Sequence, residues 1–234
     1  MKNIIITGAS RGIGMHAAKA LVSKGAQKIL LIARSSQKLQ ALKKELELNY
    51  TDTEVAIFVF DLLSGNYEKL KTFINQSFKE VDILINNAGH LVVKPFLEMG
   101  DDDFKSQFQI NVNSVFKLSQ ITIPLMPKGG HIVNISSMGG VQGSIKFPGL
   151  SLYSASKGAV SLLTESMAAE LVEQEISVNA LAFGAVNTDM LKSAFPNYKA
   201  RITAQEMGEF LADFAWNQAK FYNGKVLPVS NSTP

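Results

Sequence analysis

The 234-residue sequence contains no cysteine. Disulfide bonds, thiolate nucleophiles and cysteine-held zinc or iron–sulfur centres are therefore excluded. Histidine is scarce as well. His16, His90 and His131 stand far apart without the spacing of metal ligands, so no metal is expected. No apolar run approaches the ~20 residues of a membrane span. The first such run, Ile4–Ile6, stops at Thr7-Gly8, too soon for the core of a signal peptide. Charge is nearly balanced: 23 basic and 20 acidic residues leave +3, scattered along the chain. No nucleic-acid or membrane partner is implied, and the densest charge run, Lys43–Glu47, mixes signs like a solvated helix face. The expectation is a soluble cytoplasmic protein acting on a small molecule. Linkers rich in proline, glycine and serine are also missing, as are internal repeats, so one domain over residues 1–234 is expected.

What is present is a strict alternation. Short apolar runs predict strands at Lys2–Thr7, Lys28–Ala33, Glu54–Phe60, Val81–Ile85, His131–Ile135, Ser177–Ala182 and Lys225–Val229. Amphipathic stretches between them predict helices at Gly12–Lys24, Gln37–Leu48, Tyr67–Phe78, Asp103–Met126, Leu152–Glu173 and Gln205–Ala219. Alternation of this kind implies an α/β fold, a single doubly wound Rossmann-type domain whose seven-stranded parallel sheet carries helices on both faces. Near-continuous apolar strands fit burial on both sides. Ligands of such sheets bind beyond the carboxyl ends of the strands, so residues just after strands carry the chemistry.

After the first strand comes Thr7-Gly8-Ala9-Ser10-Arg11-Gly12-Ile13-Gly14. Gly8 suits a tight turn, Gly12 lets backbone approach a pyrophosphate, and Gly14 permits close helix–strand packing. The helix that follows offers its N-terminal N–H groups to phosphate. Farther on, Tyr153 and Lys157 are four residues apart and share a face if the segment is helical. A nearby ammonium favours phenolate, so Lys157 is expected to pull the Tyr153 pKa down and fit it for proton exchange with a carbonyl or alcohol oxygen.

Thr7–Gly14 after the first expected strand, Asn86-Asn87-Ala88-Gly89 after the fourth, Ser136-Ser137 after the fifth and Tyr153-x-x-x-Lys157 in the long helix beyond it occur in that order. Together they resemble the short-chain dehydrogenase/reductase family, over nearly the whole chain. The resemblance implies hydride transfer between a nicotinamide and a carbonyl or carbinol carbon. It implies Tyr153 as acid/base, Lys157 also on the nicotinamide ribose, Ser137 on the substrate oxygen, and Asn111 helping to order a water that links the lysine to solvent. Ser136 stays open as the substrate-binding hydroxyl, and Asn113 is expected to face elsewhere. For the cofactor it implies Gly8, Ser10, Arg11, Gly12, Ile13 and Gly14, then Asp61 and Leu62 at the adenine and Asn87, Ala88 and Gly89 along the cleft. Asp61 is equally readable as a capping residue. In the loop after the sixth strand, Gly184, Val186 and Thr188 are implied at the nicotinamide end. The two long helices are implied to build a homodimer or homotetramer.

Ala33-Arg34 ends the second strand where an acidic residue would select NAD(H). A guanidinium suits a 2′-phosphate, and Arg11 offers a second, so NADP(H) is favoured over NAD(H). Four features depart from the family pattern. Phe183-Gly184 replaces a usual Pro-Gly, which predicts a more mobile or differently angled loop. The connection from Ser137 to Tyr153 is long, with Gly143–Gly149 either shaping the substrate entrance or lengthening a surface loop. The substrate segment near 185–205, with Leu191–Thr203 as its lid, is short and suggests an open site. The tail Val229–Pro234 lacks a glycine-rich ending. A dinucleotide-binding regulatory protein without turnover is the alternative, disfavoured because Tyr153, Lys157 and Ser137 are all kept. An epimerase or dehydratase would need a larger C-terminal region.

Overall fold

The computed structural model describes residues 2–231; Met1 and 232–234, where the expected domain boundaries and the end of the tail fall, lie outside the described residues. Seven strands form one parallel sheet: β1 (Lys2–Thr7), β2 (Ala26–Ala33), β3 (Glu54–Val59), β4 (Ile83–Asn86), β5 (His131–Ser137), β6 (Ser177–Phe183) and β9 (Val226–Val229). Their order across the sheet is β3-β2-β1-β4-β5-β6-β9. The order reverses direction at β1/β4, which opens a crevice above the carboxyl ends of those strands.

The strands bury both faces. Ile4 and Ile6 point to one side with Ile29, Leu31, Ile83 and Ile85, against α1 (Gly12–Ser23), α2 (Ser36–Asn49) and α8 (Ala204–Asn217). Ile5, Leu30 and Leu84 point to the other, against α3 (Tyr67–Ser77), α5 (Ser114–Thr122) and α6 (Ser151–Glu170). This two-residue alternation is the pleat of the strand. Each fully buried branched side chain contributes roughly 1.5–3 kcal/mol of transfer free energy, which is why the central strands read as unbroken isoleucine, leucine and valine.

The structure differs from the expected elements in two places. The single helix expected over Asp103–Met126 is interrupted. α4 (Asp101–Phe108) passes through a π-helical turn, Gln109–Asn113, before α5, and a 3₁₀ turn at Ile123–Leu125 ends the run at Pro124. The N–H of Ser114 donates to the carbonyl of Gln109, five residues back, so the turn holds one residue more than an α-turn does. The second difference is an extra two-stranded pair, β7 (Val186–Asn187) with β8 (Ile202–Thr203). Strands of two residues leave no periodicity in a sequence. This pair clamps both ends of the excursion that contains α7 (Asp189–Ala194), so Thr203 belongs to the anchor, where it caps α8 with Glu206. Among the described residues no helix is long and apolar enough to cross a membrane.

Candidate active site

A cleft of about 1300 Å³ runs along the carboxyl edge of the sheet. Every residue assigned from the sequence to cofactor or catalysis lines it except Asn111, which is fully buried behind it.

At one end the glycine loop turns from β1 into α1. Gly8 has φ +68°, and a Cβ there would lie 2.8 Å from the Asn87 amide and 3.0 Å from the Ala88 backbone, so only glycine fits without strain. At Gly14 a Cβ would stand 2.4 Å from Asn87 Nδ2 and 2.5 Å from the Gly8 carbonyl oxygen, so the start of α1 packs closely against the turns that leave β1 and β4. Asn87 ties the two loops together: its side chain donates to the Thr7 carbonyl (2.9 Å), and its N–H donates to the Thr7 hydroxyl (3.1 Å). Whereas α2, α3, α7 and α8 are capped by Ser35, Asn66, Thr188 and Thr203, α1 has no side-chain cap and no acidic residue in its first turn. Its N–H groups and positive dipole end therefore face the cleft free to take an anion. A cradle that a Cβ would fill, beside an uncapped helix start, fits the diphosphate of a dinucleotide.

Arg34 and Lys38 lie farther along this end, at the turn from β2 into α2. Lys38 was not singled out from the sequence, where it is one of several exposed α2 lysines. Arg11 is exposed and forms an ion pair with Asp189 across the cleft at 3.6 Å. Asp61 accepts from the N–H of Leu63 (3.0 Å) and the hydroxyl of Ser64 (3.3 Å). Its carboxylate therefore does hold a turn, although α3 itself is capped by Asn66, and it also lines the cleft.

At the other end α6 presents Tyr153 and Lys157 on one face, as the spacing predicts. Lys157 Nζ lies 5.9 Å from the centre of the Tyr153 ring and donates to the Ile135 carbonyl at 2.7 Å. Burial pushes the Lys157 pKa down to about 8. The expectation for Tyr153 is reversed. Its pKa is raised, because burial disfavours phenolate; the Ser137 hydroxyl hydrogen-bonded to the phenol pulls the other way and does not win. The sequence gives the neighbouring charge but not the desolvation. The two serines have different surroundings. Ser136 is buried, its hydroxyl donating to the Lys157 carbonyl (2.9 Å) beside Ser161 (3.0 Å). Ser137 stands at the cleft beside Tyr153.

Asn111 sits in the π turn. Its Oδ1 accepts from the His90 N–H (2.7 Å), and its Nδ2 donates to the His90 carbonyl (2.8 Å) and the Ser156 hydroxyl (2.9 Å). Ser156 in turn donates to the Tyr153 carbonyl at 2.7 Å. His90 and Ser156 are thus part of the site and were missed, since backbone partners leave no mark in sequence spacing. His90 lines the cleft, and burial, helped by the Arg34 charge, lowers its pKa. Asn113 faces away, into a shallow groove with Phe104, Phe108 and Phe116.

The loop after β6 is pinned more firmly than the loss of proline suggested. Phe183 is buried, and the Gly184 N–H donates to the Val229 carbonyl at 3.0 Å. Thr188 caps α7 through the Leu191 N–H (3.3 Å). The connection from Ser137 to α6 brings Phe147 and Leu150 to the cleft, so it is not only a surface loop. No group of three or more histidine or acidic residues is arranged to hold a metal among the described residues.

The sequence model described as short chain dehydrogenase matches residues 2–199. The chain is 33% identical to the 3-oxoacyl-[acyl-carrier-protein] reductase of Salmonella typhimurium, over 98% of this chain and 96% of that one. It is 35% identical to the pig (Sus scrofa) enzyme carbonyl reductase [NADPH] 2, over 81% of this chain and 73% of that one. A crystal structure of a short chain dehydrogenase from Burkholderia cenocepacia in complex with NADP superposes with a TM-score of 0.88, at 25% identity, covering 99% of this chain and 97% of that one.

Proposed function

This chain belongs to the short-chain dehydrogenase family, whose members are oxidoreductases of C=O and CH–OH groups, and within it we propose an NADP(H)-dependent reductase of ketones, aldehydes or 3-oxoacyl thioesters with Tyr153 as proton donor. The observation that carries this reading is that Tyr153, Ser137 and Lys157 open onto the same cleft as the uncapped start of α1. A bound nicotinamide supplies the hydride. The chain supplies the rest. Ser137 donates a hydrogen bond to the substrate oxygen and holds the charge that develops there. Tyr153, kept protonated by its raised pKa, passes its proton to that oxygen. The Lys157 ammonium stabilises the phenolate left behind. Asn111 acts through His90 and Ser156, positioning the cleft wall and α6 against each other.

Preference for the 2′-phosphate is supported by Arg34, Arg11 and Lys38 at the adenosine end, with Ala33 where an acidic residue would oppose it. It is also supported by the NADP and NADPH in the names of the relatives. We further read residues 1–234 as one cytoplasmic domain with its substrate segment near 185–205. The exposed Phe104, Phe116 and Leu162 on α4, α5 and α6 support a homodimer or homotetramer.

A ketone and aldehyde panel with NADPH, followed as loss of nicotinamide absorbance, tests the reading. Turnover in the wild type and its loss, by about 10²-fold or more, in Tyr153→Phe is the expected outcome. NADPH binding without turnover of any carbonyl points instead to the regulatory reading.

A further inference from the structure

Two segments with no part in proton transfer meet over the substrate end of the cleft. Phe147, from the connection between β5 and α6, and Phe195, just past α7, stand edge to face with ring centroids 5.9 Å apart and planes at 63°. Both line the cleft, together with Leu150, Met190 and Tyr198.

Neither ring hangs on a loose loop. In the first segment the Ser144 hydroxyl lies 2.5 Å from the Met138 carbonyl and 2.9 Å from that of Val141. Lys146 Nζ donates to the carbonyls of Val141 (2.7 Å) and Ser144 (3.1 Å), so it is turned into the loop and does not line the cleft. The Gly149 carbonyl accepts from the Lys94 N–H at 3.1 Å and ties the loop to the segment after β4. In the second segment Phe195 N–H closes the last turn of α7 on Leu191 (2.7 Å), and Tyr198 N–H turns back onto the Phe195 carbonyl (3.0 Å). The β7–β8 pair fixes both ends of this excursion.

The lining has little charge at this end. Residues 137–154 contribute no charged group to it; the charged side chains nearby are Lys157, held on the Ile135 carbonyl, Asp189, paired with Arg11, and the exposed Lys192. Aromatic rings prefer edge-to-face or offset contacts, and a carboxylate buried among them would lose hydration without a partner.

We propose that Phe147 and Phe195, with Tyr198, form an aromatic clamp that selects carbonyl substrates bearing an uncharged aryl group next to the reacting carbon. The proposal rests on the carbonyl-reductase reading, and its test separates the two. 1-Phenyl-1,2-propanedione and 2,3-butanedione share an activated diketone and differ in the phenyl ring. With NADPH and the full chain, the ratio of their kcat/KM values should favour the phenyl compound by about tenfold or more. Phe195→Ala and Phe147→Ala should collapse that ratio through the KM of the phenyl compound, and Phe195→Tyr should restore it. NADPH fluorescence on binding confirms that each variant is folded. A second readout needs no turnover: in Tyr153→Phe loaded with NADPH, quenching of nicotinamide fluorescence gives the dissociation constants of both diketones. Equal kcat/KM for the pair, or a ratio that survives both alanine variants, overturns the clamp and leaves the reductase standing. A phenyl preference in binding that Phe195→Ala abolishes, in a protein that turns over no carbonyl, upholds the clamp and removes the reductase.

Discussion

His131 predicts a specific acid lability. It opens β5 with its side chain buried among β6, α8 and the segment before β9. Nδ1 lies 3.0 Å from the Ala215 carbonyl, an acceptor only, so it must carry the proton. Nε2 lies 3.1 Å from Asn179 Nδ2, a donor only, so it must be bare. Asn179 is not free to flip and accommodate a second proton. Its amide also donates to the Tyr222 carbonyl (2.8 Å), while its oxygen accepts from the Lys225 N–H (3.1 Å). The charged groups nearest this pocket offer no relief: Lys2 lowers the His131 pKa further, and no carboxylate is among its influences. Burial is the main cause, and the pKa falls from 6.5 to about 4. The fold thus favours the neutral ring. As pH falls, the unfolded chain takes up a proton below 6.5 and the folded one only near 4, so stability is lost across that window. By linkage the loss at pH 5 relative to pH 8 is about 2 kcal/mol from this residue alone. For a chain of this size that is roughly 4–8 °C in Tm. His16 and His90 also have lowered pKa values and add in the same direction, so the assay is a difference. Urea unfolding at pH 8 and pH 5 is compared between wild type and His131→Gln. The variant should be less stable at pH 8, because it loses a matched pair of hydrogen bonds, yet should lose about 2 kcal/mol less on acidification. Equal pH slopes in the two proteins would refute the argument.

Three further outcomes follow from the site. Because Lys157 titrates near 8, kcat/KM for carbonyl reduction should bend downward as pH rises through that value, while Tyr153, with its raised pKa, adds no loss in the neutral range; a pH–rate profile reads both, and Lys157→Met should remove the bend together with about 10²-fold of activity. Arg34→Asp should lower kcat/KM for NADPH while sparing NADH, eroding the preference by about tenfold or more, and equal rates with both cofactors in the wild type would count against the 2′-phosphate reading. Gly8→Ala forces a Cβ to within 2.8 Å of the Asn87 amide at a backbone angle that suits glycine, so cofactor binding followed by nicotinamide fluorescence should weaken about 10-fold or more, as expected for 1–3 kcal/mol of local strain.

The strands were legible because burial on both faces writes itself as continuous apolar runs, as in Ile4–Ile6 and Ile83–Ile85. The glycine loop and the Tyr153–Lys157 spacing were legible because each needs particular residue types at fixed offsets. What stayed hidden depends on the third dimension. The π turn at Gln109–Asn113 shifts the helical period by one residue, too little to see in a 24-residue amphipathic pattern. The different surroundings of Ser136 and Ser137 are a matter of which way a strand end points. The direction of the Tyr153 pKa follows from the depth of the cleft rather than from its neighbour four residues on. The pairing of Phe147 with Phe195 brings together two segments whose sequences hold no complementary mark.

The π turn and Asn111 explain one another. A regular α-helix through residues 109–113 would carry each of these side chains about 100° around the axis per residue, and the extra residue of the π turn changes which one faces the sheet edge. Asn111, fully buried, then spends both its N–H groups and its oxygen on protein partners from two other elements. Removing the carboxamide would take the partner from the half-buried His90 N–H and carbonyl, at up to about 1–3 kcal/mol per group, and would leave the Ser156 hydroxyl with its bond to the Tyr153 carbonyl alone, so the turn is retained for the bonds it enables. Those bonds join the segment that continues from Asn87–Gly89 to the helix that carries Tyr153 and Lys157. At Gly89 the two meet: a Cβ there would stand 3.5 Å from both Asn111 Oδ1 and Lys157 Nζ. The floor of the cleft and Tyr153, the proposed proton donor, are therefore held on one frame. With both amide hydrogens committed, the Asn111 side chain acts first by position, and a water-ordering role of the kind the resemblance implies has to draw on other atoms of the turn.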